Sequence, residues 1–201
     1  MSQASDDGPD DPSAHPSVWV AQAEREFGTS EVLDWCTDLL AGADPLTSRH
    51  SLAWIGGRPG SALPGDLTGA RGAMFEHWSR VWAARAMQYC WAEGTPAADG
   101  AAAALVGALT DPAWRVREMA AKVVGLREVG AGADRLAALL DDGVPRVRAA
   151  AATSLGAVGE HEHMGRLADV TRSDPDRAVR AASVRARSAI ADRVDLPSDE
   201  Y

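Results

Sequence analysis

The chain has 201 residues, with 29 Asp and Glu against 20 Lys and Arg and a net charge of −9 at pH 7. That length suits one domain or one solenoid, and that charge disfavours nucleic-acid binding, which needs cations to neutralise phosphates. No run of about 18 apolar residues occurs, so no membrane span is expected. Residues 1–16 hold Asp6, Asp7, Asp10 and Asp11 and neither Lys nor Arg. Such a stretch has little apolar surface to bury and predicts a disordered acidic tail. It lacks the basic start and apolar core of a secretory leader. Next comes a predicted capping helix over residues 18–27. Residues 59–66, rich in Gly and Pro, predict a loop. Aromatic residues then gather at Phe75, Trp78, Trp82, Tyr89 and Trp91, beside Met74. Trp78 and Trp82 are four apart and share one face of a helix. The cluster either fills a core or offers a pocket to a partner. Cys36 and Cys90 are few and far apart, which predicts buried, reduced thiols and a cytoplasmic protein.

The C-terminal half repeats itself. Asp111-Pro112-Ala113-Trp114-Arg115-Val116-Arg117 returns as Asp142-Gly143-Val144-Pro145-Arg146-Val147-Arg148, and again as Asp174-Pro175-Asp176-Arg177-Ala178-Val179-Arg180. Each copy sets an Asp six residues before an Arg, with Val just ahead of that Arg. The Arg positions are 117, 148 and 180, a period of 31 and then 32 residues. A fixed period in this range signals stacked supersecondary units that cannot bury their faces alone. Ala-rich runs follow at 117–126, 148–158 and 180–190, free of Pro and high in helix propensity. Gly130 and Gly159 stand as helix stops after the first two. A shorter apolar stretch precedes each Asp, as in Leu136, Leu139 and Leu140. The predicted unit is helix, Asp-bearing turn, helix.

The pattern Asp-Pro-x-x-x-Val-Arg-x-x-Ala-Ala, then Leu-Gly-x-x-Gly, is carried here by Asp142 to Arg148, Ala149 to Ala152 and Leu155-Gly156-Ala157-Val158-Gly159. It resembles HEAT repeats, especially the short HEAT-like repeats shared with phycobilin lyases. The resemblance implies an all-α fold, a right-handed α-solenoid. It also implies a structural ladder between successive repeats, built from Asp111 and Arg117, Asp142 and Arg148, and Asp174 and Arg180. Degraded copies are read further upstream. Asp44 precedes His50 by six, and residues 51–57 mimic the end of a repeat. Arg80-Val81-Trp82 aligns with Arg146-Val147-Arg148, with Glu76 in the place of the Asp. The expected organisation is an acidic tail over 1–16, a cap and two degenerate repeats over 17–100, three regular repeats over 101–193 and a C-terminal tail over 194–201. That makes about five hairpins.

In this family the second helices line the concave face. Positions that vary between copies there should face solvent: Arg80, Ala83, Met87; Arg115, Glu118, Lys122; Arg146, Ala149, Thr153; Ala178, Ala181, Arg185. Each set keeps to one helical stripe. The stripe is net basic in an acidic protein. Trp114 faces Pro145 and Arg177 in the other copies, so its position tolerates polarity and should be partly exposed. It either contacts a partner or packs on its own turn. Expected partner-binding residues are Trp114, Arg115, Lys122, Arg146 and Arg185, with Met87 and Trp82. Trp82 also stands where the ladder Arg would be.

Catalytic patterns are not found. HEAT-like di-iron hydroxylases of deoxyhypusine place His-Glu pairs in the second helices, where this chain reads His50-Ser51, Trp82-Ala83, Arg117-Glu118 and Arg148-Ala149. His161-Glu162-His163 is compact, but two His at i and i+2 on a helix are poorly placed for one metal. HEAT-like alkylpurine glycosylases need Trp and Asp in a basic cleft, and lyases need pigment-bearing partners. No phosphate loop or nucleophile elbow occurs. The expectation is a non-catalytic scaffold without cofactor or metal, binding another protein, with an acidic segment as the favoured ligand. The alternative is an enzyme of the lyase or glycosylase type.

Overall fold

The computed structural model describes residues 8–61 and 77–194. All regular structure among them is helical. The described part of the chain falls into two compact units, residues 8–104 and 105–194. Residues 1–7 and 195–201, positions 62–66 of the expected loop, and Met74, Phe75 and Glu76 lie outside the described residues.

In the first unit α1 (Pro16–Phe27) and α2 (Thr29–Leu40) form a hairpin around Gly28. The turn needs Gly28 because its φ is +91°, in the left-handed region. Helices α3 (Ala53–Ser61) and α4 (Trp78–Ala86) complete the cluster. Here α1 packs on α3, α2 on α4, and α3 on α4. The core is large and aromatic. Trp35, Leu33, Leu39, Ile55 and Met87 are fully buried, with Trp19, Trp54 and Trp82 close behind. Residues 51–57 were expected as a second helix and residues 18–27 as a cap. Instead, α3 partners α1, so α1 is the first helix of its own hairpin and α3 takes a first-helix place. The small and apolar residues that mimic a repeat's end suit any tightly packed helix.

The N-terminal stretch is tied down from residue 8 onward, against the expectation of a disordered tail. Trp19 Nε1 donates to the Asp11 carbonyl at 2.9 Å, and the Arg58 N–H donates to the Pro12 carbonyl at 3.2 Å. Gln22 exchanges side-chain and backbone hydrogen bonds with Asp10. Gly57, at φ +59°, makes room for this contact, since a Cβ there would come within 2.8 Å of the Pro12 carbonyl and 2.3 Å of the Trp19 ring. Polar residues anchor the segment through backbone and amide bonds, which composition does not reveal.

The second unit is regular. With α5 (Pro96–Ala108), which spans the boundary between the units, its helices are α6 (Trp114–Leu126), α7 (Ala133–Ala138), α8 (Pro145–Val158), α9 (Met164–Ser173) and α10 (Arg177–Arg193). Helices α7 with α8 and α9 with α10 form two hairpins with Asp142 and Asp174 at the corners, and Asp111 stands in the turn before α6. Thr95 caps α5 by accepting the Ala98 N–H, and Asp176 caps α10 by accepting two N–H groups. Pro145 opens α8, where its missing N–H costs nothing. The second helices α6, α8 and α10 stack side by side. Small residues set their approach. A Cβ on Gly125 would meet Ser154, and one on Gly156 would lie 3.1 Å from the Ala186 backbone. Ser154 Oγ in turn donates to the Ala121 carbonyl at 2.7 Å across the α6–α8 contact. Helix α6 ends before Gly130. Its left-handed closing residue is Glu128, at φ +51°, and the Val129 N–H reaches back to the Val124 carbonyl.

Candidate functional site: a basic groove on the second helices

The corners of the regular unit build a continuous polar ladder. In each corner the Asp side chain first folds onto its own turn. Oδ1 of Asp111, Asp142 and Asp174 accepts the N–H two residues on, at 2.7, 2.8 and 2.8 Å. That leaves Oδ2 for the Arg of the preceding repeat. Arg117 Nε donates to Asp142 at 2.7 Å, and Arg148 donates to Asp174 through Nε at 2.7 Å and Nη2 at 2.9 Å. Each Arg also turns Nη1 back to the carbonyl of its own corner Asp, at 2.7 Å for Arg117, 2.9 Å for Arg148 and 2.7 Å for Arg180. The carboxylates are almost fully buried, with side-chain exposures of 5% at Asp142 and 6% at Asp174. Burial pushes the Asp142 carboxyl up, but hydrogen bonds from Arg117 and the Val144 N–H outweigh it and hold the group below the usual range. The hydrogen bond from Arg148 does the same for Asp174. Asp174 in return holds the Arg148 guanidinium above its ordinary value. A guanidinium gripping one carboxylate and one carbonyl fixes two hairpins at once.

This framework sets the second helices so that their free stripes form a groove. Its larger part, about 510 Å³, lies between α6 and α8. The floor is small: Gly125, Ala149, Ala150, Ser154 and Ala157. Lys122, Arg146 and Leu126 rise around it. A second furrow of about 310 Å³ continues between α8 and α10, sharing Thr153 and Ala157 and reaching Arg185. Glu118 lies beneath the cations, only 7% exposed. It accepts from Lys122 Nζ at 2.8 Å and from Arg146 at 3.1 Å, which ties α6 to α8. Two cations share one carboxylate, so the rim keeps an excess of positive charge. Trp114 is half-buried at the start of α6, with the guanidinium of Arg115 4.4 Å and that of Arg146 5.6 Å from its ring centre. Both are cation–π distances.

Of the expected contact residues, Lys122, Arg146 and Arg185 line the groove, and Trp114 with Arg115 stands beside Arg146. Two lie elsewhere. Met87 is fully buried and Trp82 is 5% exposed, both in the core of the first unit. Trp82 stacks on Trp78 at 6.1 Å and covers Gly56, where a Cβ would come within 2.8 Å of its ring. Its bulk fills space that a repeat with Arg would leave polar, so this part of the aromatic cluster is core. Ala83 and Glu118, expected to face solvent, are buried as well. Leu126 was missed. It is 57% exposed on the groove rim, although its counterparts in the next two copies are Ala157 and Ala189. A large apolar residue against two alanines was a readable signal.

Residues 102–188 match the family model for HEAT repeats. The regular segment is a run of HEAT repeats. The match is to HEAT repeats at large and does not single out the lyase group. No curated protein matches the chain.

Other chemistry is sparse. Asp134, Glu162 and His163 bring possible ligand atoms within 4.8 Å of one another. His163 Nδ1, however, accepts the Glu160 N–H at 3.0 Å, so the neutral ring carries its proton on Nε2, 3.6 Å from Asp134. A protonated ring nitrogen has no lone pair to give a metal. Cys36 and Cys90 are both buried and unpaired with each other. Burial pushes the Cys36 thiol up to about 12, which makes it a poor nucleophile. No described helix is long and apolar enough to cross a membrane.

Proposed function

We propose that this protein is a non-catalytic interaction module that grips a protein segment of acidic character in the groove of α6, α8 and α10. HEAT repeats commonly serve as protein-interaction scaffolds. The observation that carries the reading is the groove itself, an open furrow with a small-residue floor, a basic rim and one apolar post in a protein of net charge −9. The small floor lets a guest chain come close to the helices. Leu126 and Trp114 supply apolar anchors, and anchors of this kind carry most of the binding free energy at interfaces. Lys122, Arg146 and Arg185 attract acidic guests, which raises the encounter rate and selects partners more than it tightens the complex.

Selection from a random peptide library tests this. The wild type should enrich peptides rich in Asp and Glu around an apolar residue. The double reversal Arg146→Glu with Arg185→Glu should lose them while melting within a few degrees of wild type. Equal enrichment by both proteins would refute the groove as the site.

A further inference from the structure

The ladder has a rung that ends in the open. Arg117 and Arg148 each present Nη1 to the corner carbonyl of their own repeat and Nε to the aspartate of the next. Arg180 repeats the first half of this arrangement. Its Nη1 donates to the Asp174 carbonyl at 2.7 Å and the Pro175 carbonyl at 3.0 Å. Among the described residues, no carboxylate meets its other edge.

The surface around that edge was built differently from the interior. Counting from the ladder Arg, Val184 stands where Ala121 and Ala152 stand in the earlier copies, and both of those are fully buried. Val184 is 49% exposed. Arg187 takes the place of Val124 and Leu155, and its Nε is buried without a hydrogen-bond partner. Ser188 takes the place of Gly125 and Gly156. Those two glycines are what let neighbouring second helices touch. A side chain at 188 and a cation at 187 bar another HEAT hairpin from stacking as closely as the internal ones do. The face is therefore basic and half-apolar, and shaped for something other than a further copy of the repeat.

We infer that the Nε–Nη2 edge of Arg180 is a carboxylate-binding site, and that its ligand is an aspartate presented in a turn of a separate partner polypeptide. The molecule supplies its own two precedents. In both filled rungs the ligand is an Asp whose Oδ1 is held by the N–H two residues on and whose Oδ2 is free to meet the guanidinium. Arg180 is already oriented by its backbone bonds, so little side-chain freedom is left to lose on binding. A planar guanidinium held this way selects a planar carboxylate in bidentate geometry, which an ammonium cannot do. Arg187, two helical turns along the same helix, adds positive charge that favours an acidic partner. This site is distinct from the groove and stands or falls apart from it.

The test uses the whole protein with labelled arginines, following each Nε–H resonance by NMR. The probe is the capped peptide acetyl-Thr-Asp-Pro-Ala-amide, which copies residues 110–113, and its Asn counterpart. The expected result is a saturable shift of Arg180 with the Asp peptide and none with the Asn peptide. The occupied Arg148 and the exposed Arg25 should stay still. Arg180→Lys, which keeps the charge, should abolish peptide binding measured by diffusion of the peptide signals. No saturable shift, or equal drift at Arg25, would overturn the site. A shift that appears only after removal of residues 195–201 would assign the edge to the chain's own end instead. A shift that develops with protein concentration alone, with doubled mass by light scattering, would assign it to a second copy. Either result would overturn the assignment to a separate partner.

Discussion

The two units solve the same problem with different materials. The first closes around large side chains, with Trp19, Trp35, Trp54 and Trp82 in one core, and its polar bonds are individual: His50 to Glu31, Arg85 to the Ile55 carbonyl, Trp35 to Ser48. The second is built from alanine, valine and leucine, and holds its hairpins in register with one device used again and again. The contrast teaches where function is to be sought. Where a device repeats, every structural residue is identified by its recurrence, and a residue that departs from the pattern needs another explanation. Leu126, Lys122 and Trp114 depart from it in the second unit; the first two line an open groove and Trp114 stands against Arg146 on its rim. Trp82 departs from it in the first and is buried.

Five expected outcomes would break or sharpen this comparison. The largest concerns the irregular core. Trp82→Ala should cost about 3–5 kcal/mol, the range for emptying a buried aromatic site, seen as a much lower denaturant midpoint. A loss below about 1 kcal/mol would mean that Trp82 is not the wedge of that core. In the regular unit Arg148→Ala should cost about 2–4 kcal/mol, because it strands a buried carboxylate and a carbonyl. Arg180→Ala should cost under about 1 kcal/mol, since only backbone hydrogen bonds are lost. Equal costs at 148 and 180 would mean that the carboxylate contributes nothing to the rung.

The ladder also dictates an acid limit. Asp142 and Asp174 have folded-state pKa values below the unfolded value of about 3.9. Their contribution is therefore complete above that pH and is lost as pH falls through the depressed folded-state values. Thermal melts from pH 6 down to pH 2 should show a steep loss below about pH 4, and Asp142→Asn with Asp174→Asn should flatten it. An unchanged acid limb would place the responsible carboxylates elsewhere. The smallest effect is at the end of α6. Glu128 closes that helix with φ +51°, a conformation that a Cβ disfavours. Glu128→Gly should stabilise by about 0.5–1 kcal/mol; a destabilised variant would show that the side chain is needed there.

Much of the regular unit was legible from the 31- and 32-residue period. The Asp and Arg recurrence marks the corners, and alanine runs without Pro mark the helices between them. The direction of the ladder was not legible, because spacing within one copy cannot say that each Arg reaches the next copy's Asp. The hairpin phase of the first unit was also hidden. Residues 51–57 imitate a repeat's end in composition, while helix α3 is placed by its packing on α1. Glu118 was read as a surface residue because charge and variability point outward. It is buried because Lys122 and Arg146 close over it from two helices, a tertiary arrangement with no local trace. Met87 failed for the opposite reason, since an apolar residue on a variable stripe fits a groove and a core equally well.

The claim that the groove of α6, α8 and α10 receives the partner is tested most directly by photo-crosslinking in cells of the native host. A benzophenone amino acid placed at Thr153, exposed and shared by both parts of the groove, should yield a discrete adduct with another protein, and the adduct should disappear when Arg146→Glu is added. The same probe at Arg172, exposed on the first helix α9, should yield none. Adducts at position 172 with none at 153 would place the partner on the first helices and contradict the account.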